Sequence, residues 1–189
     1  MIEYRQATLE DLEKIWNKDI ANNAGEDCWA RWKQQYIDYN KTGKATTFVV
    51  VDNNEPIGQI TVLFSPECSA VKNREMLCDG KSIANMNAFR VDKEYEGKGH
   101  ISKLVKMAEQ YAKEKGITFL TIGSEAKESR NLGIYLHFGY TKFITSFIED
   151  NELVLFYGKN IWKLPLANLF FAFAKISLAL ANIIAKQYH

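Results

Sequence analysis

The segment from Ser82 to Ile122 restricts the fold of this chain more than any other. It contains an apolar strand over Ser82–Val91, a glycine-bearing turn, an amphipathic helix from about Gly99 to Lys115 and a second strand over Ile117–Ile122. Gly116 stands where a helix favours glycine at its C-terminal end. Because such a helix must bury its apolar stripe, the segment predicts a sheet with helices packed on it.

The flanking sequence continues this pattern. Thr8 and Asp11 have the spacing of a capping box at the start of a helix. Periodicity predicts further helices at 9–22, 27–40 and 129–138, and further strands at 2–5, 46–51, 57–64, 140–148 and 153–157. Residues 65–81 are predicted to form a polar loop. The order β-α-α-β-β-β-α-β-α-β-β predicts an α+β domain with a mixed sheet.

Composition excludes several classes of protein. A chain of 189 residues suits one domain, and its net charge of +1 gives no clustered basic surface for nucleic acid. Three cysteines fit no zinc spacing, and no pair of the three histidines has helical metal-ligand spacing. The N-terminus has no apolar run behind a basic start. We therefore expect a cytoplasmic protein with reduced thiols and no metal.

The turn Glu96-Gly97-Lys98-Gly99-His100-Ile101 lies between the predicted strand and helix. Glycines let a backbone approach a bulky anion, and the first turn of a helix offers unpaired N–H groups with about half a positive charge. A pyrophosphate fits such a site. The spacing is neither a Walker loop nor a dinucleotide fingerprint, since Ser102 stands where the third glycine is required. A plain tight turn is the alternative.

The strand, the glycine turn, the helix, the next strand and a helix ending in Tyr135-Leu136-His137-Phe138-Gly139-Tyr140 together resemble the GNAT acetyltransferase superfamily, over roughly 2–157. The family turn reads Arg/Gln-x-x-Gly-x-Gly/Ala. Gly99 matches its central glycine, whereas Glu96 and Ile101 depart from it. The resemblance implies a mostly antiparallel sheet flanked by helices and acetyl-CoA as acyl donor. The carboxylate of Glu96 is expected to weaken CoA binding unless it points outward or pairs with Lys93 or Lys98.

The resemblance also implies where acyl-CoA binds. The pantetheine arm is expected along the backbone of the strand before the turn, at Phe89 and Val91. The diphosphate is expected on the turn and the first residues of the helix, which are Gly97, Lys98, Gly99, His100, Ile101 and Ser102.

Catalytic roles follow from the same resemblance. Tyr135 matches the family tyrosine that protonates the departing thiolate, and Asn131, one turn earlier, could bond to the cofactor. Asn85 and Asn87 occupy the strand positions where many relatives hold a glutamate base, so they can orient water or substrate but cannot take a proton. Glu125 is a candidate base. A core tyrosine, a solvated loop glutamate and the absence of any dedicated base are the alternatives.

The family resemblance places the acceptor site near the first two helices and the last hairpin. Glu26, Asp27 and Trp29 combine acids with an aromatic ring, which suits a cationic amine. Alternatively, the aromatic residues form the buried face of the second helix and the acids favour its N-terminal dipole. The acceptor, a small-molecule or peptide amine, stays open.

Residues 160–189 fall outside the predicted GNAT domain of residues 1–159. From Leu164 to Ala185 the only polar side chains are Asn168, Lys175, Ser177 and Asn182, which predicts a helix buried nearly all round. It could pack on its own domain, form a homodimer or lie at a membrane. Lys175 at its centre opposes insertion by roughly 2.5–3.5 kcal/mol.

Two functional hypotheses remain. The first is an acetyl-CoA-dependent N-acetyltransferase that acts on a primary amine by direct attack on the thioester, as Tyr135 indicates. The second is a catalytically silent acyl-CoA-binding or sensor module, which the departures at Glu96 and Ile101 favour.

Overall fold

The computed structural model describes residues 1–149 and 151–162, so the predicted apolar extension lies outside the described residues from position 163 onward. A seven-stranded sheet has the order β1-β2-β3-β4-β5-β7-β6. Its strands are β1 Ile2–Gln6, β2 Ala45–Asp52, β3 Glu55–Leu63, β4 Ile83–Val91, β5 Phe119–Glu125, β6 Lys142–Glu149 and β7 Glu152–Asn160. Only the β4–β5 pair is parallel, and the others are antiparallel. The predicted mixed, mostly antiparallel sheet is confirmed.

Four helices cover the two faces of this sheet. They are α1 Leu9–Asn22, α2 Cys28–Lys41, α3 His100–Glu114 and α4 Ser129–His137. One core joins the sheet to α3 and α4 and includes Leu104, Tyr135 and Tyr140. The other joins the opposite face to α1 and α2 and includes Trp16 and Tyr36. Within the part of the chain that the structure describes, no helix combines the length and apolar character that a membrane crossing requires.

The start of α1 follows directly from local sequence. The Thr8 hydroxyl accepts the Asp11 N–H at 3.2 Å, while the Asp11 carboxylate accepts the Thr8 N–H at 2.7 Å. This reciprocal pairing confirms the predicted capping box. Arg5 also donates to Asp11, and the hydrogen bonds from Arg5 and Thr8 outweigh burial and lower the pKa of that carboxyl.

The stretch predicted as a polar loop contributes to the second core. It contains a one-turn 3-10 helix at Ser69–Val71, and the side chains of Cys68, Val71, Leu77 and Cys78 are fully buried. Burial raises the pKa of both thiols to about 11, so they stay protonated. The loop is therefore a packed segment, because these four side chains join the core beneath α1 and α2, whereas Met76 stays exposed. Sequence periodicity could not reveal this, since the residues follow no regular spacing.

Asp79 organises the entry to β4. Its carboxylate accepts the backbone N–H groups of Lys81, Ser82 and Ile83, each at 2.8 Å, and the Ser82 hydroxyl at 2.9 Å. Desolvation acts to raise the pKa of Asp79, but these hydrogen bonds outweigh it and lower the pKa from 3.8 to about 2. The charged carboxylate thus holds the turn that aims β4 at the centre of the sheet.

Asp79→Asn should lower the free energy of unfolding by about 1–2 kcal/mol at neutral pH, after allowance for solvent screening. Because the folded-state pKa is depressed, the carboxylate stabilises the fold above about pH 4 and loses this effect toward pH 2. Urea melts of wild type and variant should therefore converge as the pH falls through this window. A stability difference that does not depend on pH would contradict the assignment.

Candidate functional site

The parallel strands β4 and β5 separate halfway along their length. They pair from Ile83 with Phe119 to Met86 with Ile122, and no further. Beyond that point β4 continues along β3 to Val91, while β5 continues along β7 to Glu125. Backbone groups on the facing edges of the two strands therefore lose their sheet partners and border an opening in the centre of the sheet.

A distortion in β4 begins where the strands part. Ala88 has a φ of +47°, which is unusual for a residue with a side chain, and the β3–β4 register shifts between Gln59 and Thr61. The Asn87 side-chain oxygen accepts the Ala88 N–H at 2.8 Å, and the Tyr36 hydroxyl donates to the same oxygen at 2.7 Å. Asn87 therefore holds a bulge in place, and bulges commonly re-aim a strand beside a functional site.

The glycine turn that follows β4 presents a row of amide groups. Gly97 and Gly99 have φ values of +72° and +80°, and Gly99 is the N-cap of α3 without a side-chain cap. Within the described residues, no acceptor receives the backbone N–H groups from Gly97 to Ser102. A helix start with this many unpaired donors is a site for an anion.

These amides border a cavity of about 690 Å³ between the turn and α4. Its walls include Phe89 and Val91 from β4 and Asn131 from α4, which were all predicted to meet the cofactor. The predicted turn residues Gly97, Gly99, His100, Ile101 and Ser102 also line it. Lys98 does not line this cavity, because its ammonium lies over the Tyr95 ring at 4.9 Å.

The side chains of His100 and Ile101 turn partly away from the opening. The His100 ring is 7% exposed and its Nδ1 lies 2.6 Å from the Tyr4 hydroxyl, while burial and two nearby lysines lower its pKa. Ile101 packs against the core beneath α3 and only borders the cavity. The main chain of both residues, rather than the side chains, is therefore what the turn offers an anion.

Glu96 pairs with neither Lys93 nor Lys98, the two partners that the sequence suggested for it. Its two carboxylate oxygens accept both terminal nitrogens of Arg130, at 3.3 and 2.6 Å, so that an ion pair joins the turn to the start of α4. The hydrogen bond from Arg130 lowers the pKa of Glu96. The negative charge beside the amide row is thereby compensated by a cation that also lines the cavity.

Tyr135 borders a second, smaller cavity of about 290 Å³ in the gap between β4 and β5. Its side chain is 6% exposed and its ring meets Phe89 edge-on at 5.3 Å. Burial raises its pKa to about 12, so the phenol stays protonated at neutral pH. Phe89 and Asn131 line both this cavity and the first, so the two cavities adjoin each other.

The side chains predicted to orient or deprotonate the amine lie at different places in the structure. Asn85 is 1% exposed and donates to Thr121 at 2.9 Å, so it lies beneath the site rather than in it. Asn87 lines the Tyr135 cavity. Glu125 also lines it, but as the last residue of β5 rather than in the loop beyond, and it pairs with Lys127 at 3.3 Å.

A third cavity, of about 580 Å³, lies on the other side of the β4 bulge and shares Asn87 and Ala88 with the Tyr135 cavity. Trp29 lines it as predicted. Glu26 and Asp27 do not, since both are exposed at the start of α2 and Glu26 accepts the Trp29 indole N–H at 3.0 Å. The aromatic part of the predicted acceptor region thus reaches a cavity, whereas its acidic part stays in solvent.

Sequence reasoning missed many residues of these walls, and four of them affect the charge or shape of the cavities. Arg130 lines the first cavity, and Trp16, Arg31 and Arg90 line the third. Arg130 directly precedes the predicted Asn131, so the sequence showed a basic residue beside a predicted cofactor contact. The other three carried none, because their position depends on how α1 and α2 cross the bulged end of β4.

The sequence and the fold both match known proteins. The sequence model of the acetyltransferase (GNAT) family matches residues 9–140, whereas no curated protein sequence matches significantly.

Among solved structures, a GNAT-family protein from Desulfovibrio desulfuricans superposes with a TM-score of 0.67 at 10% identity over 86% of this chain and 100% of its own. An N-acetyltransferase from Staphylococcus aureus Mu50 superposes with a TM-score of 0.63 at 19% identity over 86% and 99%. The yncA protein from Salmonella typhimurium, solved with its cofactor acetyl-CoA, gives 0.63 at 12% over 87% and 96%. Because the family model spans most of the chain, this protein belongs to the acetyltransferase (GNAT) family.

Proposed function

We propose that this protein transfers an acetyl group from acetyl-CoA to a primary amine by direct attack on the thioester. The observation that carries the proposal is the order of three features along two adjoining cavities. An unpaired amide row at Gly97–Ser102 leads to the gap between β4 and β5, and the protonated Tyr135 lies in that gap. An anionic carrier with an extended arm and a reactive end fits this order.

The residues at the donor end suit a diphosphate. Amide N–H groups at a helix start bind such an anion without any side-chain charge. The Glu96–Arg130 ion pair keeps the one nearby carboxylate neutralised, so the departure from the family turn does not leave a bare negative charge there. The free backbone edge of β4 near Phe89 and Val91 can then hydrogen-bond an extended amide-bearing arm.

Tyr135 is the proposed general acid. In a direct transfer a C–N bond forms as the C–S bond breaks, and the sulfur leaves as a thiolate that needs a proton. A phenol that burial keeps protonated can supply that proton from the Tyr135 hydroxyl. The tyrosine then recovers a proton from solvent, and the amine proton leaves separately.

Strand β4 offers no base to the reacting end, since Asn85 and Asn87 stand at the positions where the family resemblance implied one. Asn87 can orient a water or the amine through its amide group, but it cannot take the proton. The carboxylates in the cavity wall, Glu125, Glu128 and Glu149, come from other segments, and Glu125 pairs with Lys127 while Glu149 pairs with Arg74. We therefore propose that the amine reacts as the fraction already neutral. The missing base also keeps a silent acyl-CoA-binding module as the second candidate.

The proposal is tested by two measurements on the full chain. Calorimetry with acetyl-CoA should detect binding, and a thiol-trapping assay should detect free CoA that depends on an added amine. Binding without thiol release over a broad amine panel would favour the silent module. Absence of any acetyl-CoA uptake would overturn both candidates.

Glu96→Gln should weaken acetyl-CoA binding roughly two- to fivefold, because Arg130 loses the carboxylate that holds it at the cavity wall. Isothermal titration at two salt concentrations measures the effect, which should shrink at high salt. Glu94→Gln removes the same charge from an exposed neighbour in the turn and serves as the matched control. Tighter binding by Glu96→Gln would show instead that the carboxylate repels the diphosphate.

A further inference from the structure

The side chains that line the third cavity indicate which kind of acceptor it suits. Trp16, Trp29, Trp32 and Tyr36 form an aromatic wall that lines the cavity beside the β4 bulge. The rings are packed against one another, with centroids 4.9 Å apart for Trp16 and Tyr36 and 5.1 Å apart for Trp29 and Trp32. Such a wall is rigid before any ligand arrives, and its flat faces suit an aromatic body.

Some of the charged side chains that line this cavity are paired with an opposite charge, and one has no such partner among the described residues. Arg90 pairs with Asp19 and lies over the Trp16 ring at 4.6 Å, and Glu149 pairs with Arg74. Arg31 lines the cavity and has no ion-pair partner among the described residues. Among the described residues that line the cavity, the charge without an ion-pair partner is therefore positive, so a polycation is repelled and an acidic group is attracted.

We infer that the acceptor is a small monoamine carried on an aromatic body with one acidic group, held by the aromatic wall and Arg31. This inference rests on the proposed acetyl transfer and names its substrate class. It differs from the acceptors of two proteins of similar fold, one that acts on aminoglycosides and one that modifies the N-terminal serine of ribosomal protein L7/L12. At 12% and 14% identity those proteins share only the fold with this chain.

The same arrangement accounts for the missing base. An ammonium group that enters a cavity walled by tryptophans loses hydration, and the nearby guanidinium of Arg31 disfavours a second positive charge. Both effects lower the pKa of the bound amine. The neutral, nucleophilic form is thus enriched at the Tyr135 cavity without a carboxylate on β4, where Asn85 and Asn87 stand.

The test compares three amines by quenching of tryptophan fluorescence and by amine-dependent thiol release from acetyl-CoA. Phenylalanine and phenethylamine differ by one carboxylate, and spermidine is a polycation without a ring. Phenylalanine should bind about fivefold more tightly than phenethylamine, and spermidine should neither bind nor be acetylated. Arg31→Gln should abolish the preference for phenylalanine while phenethylamine binding is kept. Lys41→Gln, an exposed lysine at the far end of α2, removes the same charge and should leave the preference intact.

The possible outcomes separate this inference from the proposed function. Acetylation of spermidine in preference to both aromatic amines would overturn the inference and leave acetyl transfer standing. Failure of both aromatic amines to quench the tryptophans would overturn it too. Quenching by phenylalanine that depends on Arg31, without any uptake of acetyl-CoA, would support the binding class and overturn the transferase.

Discussion

Tyr135→Phe should lower kcat by roughly 10²–10⁴-fold and leave the Kd for acetyl-CoA unchanged. The phenylalanine ring keeps the edge-on contact with Phe89 and fills the same space, so only the hydroxyl proton is lost. Burial raises the pKa of Tyr135 to about 12, which means that wild type should show no loss of this acid in the ordinary alkaline range. Steady-state thiol release across pH, together with calorimetry, measures both quantities.

Tyr111→Phe is the matched control for this prediction. Tyr111 packs between α3 and the sheet against Phe48 and Phe64, and it lines none of the three cavities described above. The variant should keep full turnover. If Tyr135→Phe retained turnover as well, solvent rather than the phenol would be protonating the leaving thiolate, and the acid role would be wrong.

Gly99→Val should weaken acetyl-CoA binding by roughly 5- to 150-fold. A side chain at a φ of +80° carries a strain of about 1–3 kcal/mol, and each 1.4 kcal/mol corresponds to a factor of ten in affinity. No atom lies within 4 Å of the added Cβ, so the effect is conformational rather than steric. To relieve the strain the turn must rotate, and the amide row from Gly97 to Ser102 then loses its common direction.

Gly43→Val separates local binding effects from lost stability. Gly43 has a φ of +72° and equally open surroundings, but it lies in the turn between α2 and β2, away from the amide row. Both variants should lose similar stability in urea melts, whereas only Gly99→Val should lose affinity in calorimetry. Equal loss of affinity in both variants would mean that the amide row does not hold the diphosphate.

The two predictions concern two adjoining cavities. One is therefore expected to change the affinity for acetyl-CoA and the other the rate of transfer. Gly99 shapes the backbone where the carrier binds, so its replacement changes affinity. Tyr135 lies where strands β4 and β5 have parted and touches only the reacting end, so its replacement changes the rate. Asn87 borders both the Tyr135 cavity and the aromatic cavity, so the proposed transfer would take place at the β4 bulge.

Local sequence was enough to predict most elements and the glycine turn between β4 and α3. Helix α1 begins and ends where Thr8, Asp11 and apolar spacing predicted, and α3 ends before Gly116, whose φ is +83°. Capping, helical periodicity and the need for glycine at a positive φ act within a few residues, so the sequence records them directly. The same holds for the glycine turn and for Tyr135 on the short helix α4.

Only the tertiary structure decided which residues of distant segments form ion pairs and which line the same cavity. Glu96 pairs with Arg130 rather than with the lysines beside it, because α4 folds back over the turn. Arg31 and the aromatic wall meet the bulged end of β4, while the predicted acids Glu26 and Asp27 stay in solvent. These outcomes depend on where β4 and β5 stop pairing and how the helices cross that point, and residue spacing along one chain does not encode that geometry.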